Sequence, residues 1–145
     1  MIKHKGHVEI GAPVSDVFTF ISDVENIPRW QSDVVTSKVH TSGPMRVGTR
    51  FEEDVMILGR RIQTVCEVVE YLPTKKFGFK SNSAGPIHYG GSFFLEPNGR
   101  GTRLTIDIEI SLRGLWRIAE PFFGFEVRSG VNKEMKTLKS LLERA

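Results

Sequence analysis

Glu53, Ser81 and Tyr89 are polar residues on the more apolar parity of three strand-like segments. Phe51, Glu53, Val55 and Ile57 alternate in one, Phe77, Phe79, Ser81 and Ser83 in the next, and Tyr89, Gly91, Phe93 and Leu95 in a third. Alternate side chains of a strand share a face. If those faces point inward, the three residues sit inside an apolar chamber. A carboxyl there is costly unless paired or protonated, so its pKa rises. Glu53 would then suit a general base or an anchor for a ligand hydroxyl, with Tyr89 shuttling protons. A simpler arrangement competes: a shifted or bulged strand leaves Glu53 in solvent beside Glu52 and Asp54, and the rarity of unpaired buried charges favours it. Tyr89, likewise, is more often a core ring with a hydrogen-bonded hydroxyl than a catalyst.

Other chemistries find little support. His4, His7, His40 and His88 show no i, i+4 pair, and Cys66 is the only cysteine, so no metal site is expected and no internal disulfide can form. His4 and His7 read as solvated residues of an N-terminal tail. No nucleophile elbow, phosphate loop or dinucleotide glycine pattern is present, and no cofactor is implied. Gly90-Gly91 inside a strand signals a bulge or a close approach. No residue proves catalysis, so Glu53 and Tyr89 are only candidates and enzyme status stays open.

The elements that would position these residues follow from periodicity. His7–Ile10 reads as a strand. Val14, Val17, Phe18 and Ile21 then fall at i, i+3, i+4 and i+7, one face of a helix that Pro13 can start. A second short helix ends at Trp30. Strands are expected over 34–41, 49–58, 61–71, 77–83, 88–96 and 102–112, with Gly59-Arg60 as a two-residue hairpin turn and Pro97 to Gly101 as a turn. The last is the clearest: Leu104, Ile106, Ile108, Ile110 and Leu112 alternate with Arg103, Thr105, Asp107, Glu109 and Ser111. One face is dry and one wet, as in an antiparallel sheet covered on one side. The cover is a helix from Pro121 to Arg144, where Val127, Val131, Met135, Leu138, Leu141 and Leu142 recur near helical spacing. Such a helix runs about 35 Å, enough to span the sheet. Trp116, Phe122, Phe123 and Phe125, with Gly124 and Gly130 trimming volume, would form a hydrophobic gate or simply pack helix onto sheet.

The order strand, two short helices, six strands, long helix resembles the helix-grip fold of the START-like (SRPBCC) superfamily, which includes the birch-pollen-allergen-like proteins. The chain looks closest to its polyketide cyclase/dehydrase-like branch. The residues that carry the likeness are Ile10-Gly-Ala-Pro13 with Val17-Phe18 and Ile21; Asp23 and Trp30; Val47-Gly48-Thr49; Glu70-Tyr71-x-Pro73; Gly101-Thr102-Arg103-Leu104-Thr105; and Leu138-Lys139 with Leu142-Glu143. The resemblance implies an α+β fold in which a seven-stranded antiparallel sheet grips the terminal helix, one domain over residues 1–145. It fixes fold better than function, because the superfamily holds lipid carriers, receptors, cyclases and chaperone activators.

Composition narrows the partners. The chain has 145 residues, enough for a core without staples. Its net charge of +3 comes from scattered basic residues rather than a stripe, so nucleic-acid binding is not expected. No apolar run approaches a membrane span and no secretory leader is visible, so a cytoplasmic chain without stable membrane insertion is expected. A homo-oligomer stays open. The leading expectation is binding or transport of a small hydrophobic ligand (lipid, isoprenoid or polyketide-like) in a chamber of roughly 300–1,000 Å³. Its lining would come from Phe51, Glu53, Val55, Phe79, Ser81, Tyr89, Phe93, Ile106, Ile108, Trp116, Phe122 and Phe125. Two alternatives stand beside it: a cyclase or dehydratase working by substrate confinement with Glu53 and Tyr89, and a protein-interaction module with a filled core.

Overall fold

The computed structural model describes residues 1–57, 59–81 and 85–144, without the side chains of Phe122 and Phe125. Seven strands form one antiparallel sheet: β1 (Ile2–Ile10), β2 (Val34–Val39), β3 (Arg50–Ile57), β4 (Arg60–Leu72), β5 (Lys76–Ser81), β6 (Ile87–Asn98) and β7 (Gly101–Leu112). Their order is β1-β7-β6-β5-β4-β3-β2, a meander closed by the first strand at the far edge. Helices α1 (Val14–Ser22) and α2 (Ile27–Trp30) follow β1, and α3 (Glu120–Arg144) ends the chain. The expected helix-grip architecture is therefore the observed one.

Most boundaries shift by one or two residues from the sequence reading, the expected strand ends at Leu58 and Ser83 lie outside the described residues, and three differences have a clear cause. The strand expected at His7 starts at Ile2, because every residue from Ile2 to Ile10 pairs with β7. His4 is thus half-buried strand rather than solvated tail, whereas His7 is exposed. The β3–β4 hairpin closes at the Ile57–Arg60 pair, which places Gly59, at φ +78°, second in the loop. β6 continues through Pro97 until Asn98 pairs with Gly101, leaving Gly99 in the left-handed region at φ +61°. Across Gly90 and Gly91 the register is unbroken, so there is no bulge; Gly90 marks a close approach, since a Cβ there would lie 3.1 Å from the Phe79 carbonyl oxygen, whereas one on Gly91 would make only ordinary contacts.

The turn between β1 and α1 is tied from two sides. Thr102, buried, donates its hydroxyl hydrogen to the Ala12 carbonyl at 2.7 Å. The Gly11 N–H donates to Glu143 Oε2 at 2.7 Å, and Lys139 Nζ donates both to that oxygen and to the Glu9 carbonyl. Gly101 allows this junction, since a Cβ there would lie only 2.5 Å from the Ile10 oxygen. The end of α3 is so fixed against β1, and its Val127, Val131, Met135, Leu138 and Leu142 face inward.

An aromatic cluster forms the floor beneath that helix. Phe77 and Phe93 stack at 6.3 Å, Trp30 meets Phe93 edge-on at 5.8 Å, and Phe51 meets Phe79 edge-on at 5.4 Å. These rings fill space that a more open sheet would leave hollow.

Candidate functional site

Between α3 and the sheet lies a cavity of about 110 Å³. The expected chamber of 300–1,000 Å³ is not what forms, because the rings of Phe79, Tyr89, Phe93 and Phe123 take up its walls. The interior is nevertheless not solid, and the space approaches that of about 150 Å³ cavities that accept a benzene.

Glu53 borders this cavity and is 1 % exposed. The solvent-facing arrangement favoured by the rarity of buried charges is overturned. β3 keeps its register against β4 from Arg50 to Ile57, so Phe51, Glu53, Val55 and Ile57 all turn inward. Neighbouring strands supply Glu53 with partners. The Tyr89 hydroxyl donates to Glu53 Oε1 at 2.7 Å, and the Cys66 thiol reaches the same oxygen at 3.8 Å. Thr64, opposite Glu53 in the ladder, shares a 2.5 Å hydrogen bond with the Tyr89 oxygen. Ser81 Oγ accepts from the Tyr89 N–H at 3.0 Å and so fixes the backbone that carries the ring. Glu53 Oε2 has no partner among the described residues.

Burial dominates the electrostatics. It pushes the Glu53 carboxyl up to about 7, even though hydrogen bonds from Tyr89 and Cys66 pull the other way. Burial and the Glu53 charge push the Cys66 thiol up to about 12, so it is a donor and not a nucleophile. The same two causes raise the Tyr89 phenol well above its ordinary value. With Oε1 accepting from Tyr89, a proton taken up by Glu53 sits on Oε2. The group can therefore donate when neutral and accept when ionised, near neutral pH.

Of the residues expected to line a pocket, Glu53, Val55, Phe79, Tyr89, Phe93 and Ile108 border the cavity. Phe51, Ser81 and Ile106 are buried behind the wall. Trp116 lies half-buried in a 3-10 turn (Gly114–Ala119) that precedes α3 and does not border it. The side chains of Phe122 and Phe125 fall outside the described residues, and Phe123 is the wall ring from that segment.

Sequence reasoning missed Asp33 and Glu134, which also border the cavity. Glu134 lies three residues after Val131, seven after Val127 and four before Leu138, on the helix face that is buried. That spacing was the available signal. Asp33 sits just before β2 and is exposed, so the cavity's outer end meets solvent there, while Glu53 marks the inner end. Burial and then the Asp33 charge push Glu134 up to about 8. The Asp33 residue is exposed overall, but partial desolvation of its carboxyl raises it, as does Glu126, with Lys133 partly offsetting both.

The sequence matches the family described as polyketide cyclase / dehydrase and lipid transport over residues 1–144. The chain belongs to this family. Solved structures agree on the fold of this polyketide cyclase/dehydrase-like chain. A START superfamily protein from Mycobacterium smegmatis superposes with TM-score 0.82 at 16% identity, covering 98% of this chain and 97% of that one. The protein TTHA0849 from Thermus thermophilus gives 0.80 at 20% identity over 95% and 94%. The ZhuI aromatase/cyclase from Streptomyces sp. R1128 gives 0.78 at 13% identity over 98% and 93%. No curated protein matches the sequence significantly. Among the described residues no helix is long and apolar enough to cross a membrane.

Proposed function

We propose that this family member binds a small, largely apolar molecule between α3 and the sheet, with Glu53 holding its polar group. One observation carries the reading: a fully buried carboxyl on the wall of an apolar cavity keeps one oxygen without a partner among the described residues. An unsatisfied buried polar atom costs about 1–3 kcal/mol. A ligand hydroxyl or carbonyl at Glu53 would remove that cost, and apolar contact would add roughly 25 cal/mol per Å² buried before ordering costs. The cavity holds one ring or one chain end; a whole lipid, isoprenoid or polyketide would have to displace side chains at the outer end. The guest is thus read as compact, or as entering by one end.

Protein purified without detergent should carry a non-covalent adduct in native mass spectrometry. Toluene should shift the amides of Val55, Tyr89, Gly91, Ile108 and Val127 in a heteronuclear NMR titration. No adduct together with no toluene response would sink the reading.

A second reading, a cyclase or dehydratase, is favoured by one specific feature: the Glu53 carboxyl at about 7 beside Tyr89 suits proton transfer at neutral pH. Confinement of a flexible chain would supply orientation. If a synthetic linear β-polyketone is cyclised, Glu53→Gln with Tyr89→Phe should slow it by about 10²-fold or more. Unchanged turnover in that double variant would remove the acid–base assignment.

A further inference from the structure

We propose that the cavity selects a ligand whose apolar body carries a protonated amine, held at the outer end between Asp33 and Glu134. The inference rests on the small-molecule reading above and narrows it to a chemical class. Among the described residues bordering the cavity, Asp33, Glu53 and Glu134 carry acidic groups, and none is lysine, arginine or histidine. A fatty acid or any other anionic guest would meet three carboxyls and no cation.

Glu134 is the most informative of the three. It is 8 % exposed on a helix face otherwise made of Val127, Val131, Met135 and Leu138. Its carboxyl makes no hydrogen bond or ion pair within the described residues. Buried acids are rare without a partner, and helix packing alone would be served better by leucine. Asp33 borders the same stretch of α3. Its Oδ2 lies 3.9 Å from where a Cβ on Gly130 would be, about one helical turn from Glu134. Two acids brought together at the end of an apolar cavity, each harder to ionise beside the other, are relieved by a cation placed between them. Lys133 partly offsets Asp33 from the exposed face of α3 but forms no ion pair with either carboxyl.

The independent sign of a ligand is at the other end, where Glu53 Oε2 is buried and unpartnered among the described residues. The aromatic wall between the two ends adds a further preference. Phe79, Phe93, Phe123 and Tyr89 present rings to the guest, and ring faces attract cations.

Three near-isosteric probes separate charge from shape: 2-phenylethylamine, 2-phenylethanol and 3-phenylpropionate. Each is titrated into isotope-labelled full-length protein at about pH 8, where a lysine-like amine with pKa about 10.4 stays protonated. The amine should bind about tenfold or more tightly than the alcohol, as a partly desolvated ion pair would give. The propionate should bind more weakly than the alcohol. Glu134→Gln and Asp33→Asn should each weaken the amine by about threefold or more while leaving the alcohol unchanged. High salt should narrow the gap. An alcohol that binds as well as the amine, a propionate that binds best, or an amine preference that survives both variants overturns the inference and leaves small-molecule binding standing. Failure of all three probes to bind brings down both.

Discussion

Replacing Glu53 with glutamine is expected to remove a fall in stability of about 3 kcal/mol that the wild-type chain undergoes between about pH 4.5 and pH 8. The Glu53 carboxyl rises from 4.5 in the unfolded chain to about 7 in the folded one. Between those values the folded protein keeps a proton that the unfolded chain has released, so raising the pH favours unfolding. Below the lower value both states are protonated and there is no penalty; above the upper one the penalty is complete. Glutamine keeps an oxygen to accept from the Tyr89 hydroxyl, but its amide nitrogen inherits the place of the unpartnered Oε2. The wild-type carboxyl already bears the cost of an unpartnered atom there, about 1–3 kcal/mol, so the substitution leaves it in place. The variant should therefore be close to wild type in stability at about pH 4.5, and should exceed it by about 3 kcal/mol above about pH 8. Glu134, raised to about 8, bends both curves downward over the same range and cancels from the difference. Urea unfolding at stepped pH measures it. A difference that stays constant with pH would mean that Glu53 titrates as an ordinary carboxyl.

The inward parity of Glu53 and Tyr89 was legible because a strand has a period of two, and Phe51, Val55, Phe93 and Leu95 set the phase. Whether Glu53 would be tolerated there was not legible. That depended on Thr64 and Cys66 meeting it across the ladder from a segment whose own alternation is mixed. β1 was read short because Lys3, His4, Lys5 and His7 lack apolar alternation. Its strand is set by backbone pairing with β7, which needs no particular side chain. Glu134 lay in plain view within an apolar helical stripe, yet a lone acid among Lys133, Lys136 and Lys139 reads as surface. Asp33 could be placed only by the fold, since nothing local brings it to Gly130. Cavity size was out of reach for a related reason. Phe79 and Phe93 tilt at 34° to each other, and such angles follow from packing of the whole cluster and not from strand phase.

Phe93 and Phe94 are adjacent on β6 and face opposite ways, so truncating each to alanine should give very different results. Phe93 is 2 % exposed, stacks on Phe77, receives the edge of Trp30 and borders the cavity. Phe93→Ala is expected to cost about 3–5 kcal/mol, from lost transfer energy and from the new void at about 24 cal/mol per Å³. The existing 110 Å³ space lies against this ring, so the surrounding walls have little material with which to collapse inward. That places the effect near the top of the range. Phe94, on the outer face, is half-exposed and lies under Lys76 Nζ at 4.7 Å from the ring centre. Its truncation should remove a cation–π contact of about 0.5–1 kcal/mol and some partial burial. Denaturant unfolding of the two variants at one pH, with unchanged slope, reads the contrast directly. Equal losses would mean that β6 does not present alternate faces to core and solvent. The same Phe93 variant joins stability to binding: the enlarged cavity should admit naphthalene, which the wild-type space is too small to hold. A stable variant that still excludes naphthalene would show that the walls close over the vacancy, and the cavity would then be a property of local packing without a role in admitting guests.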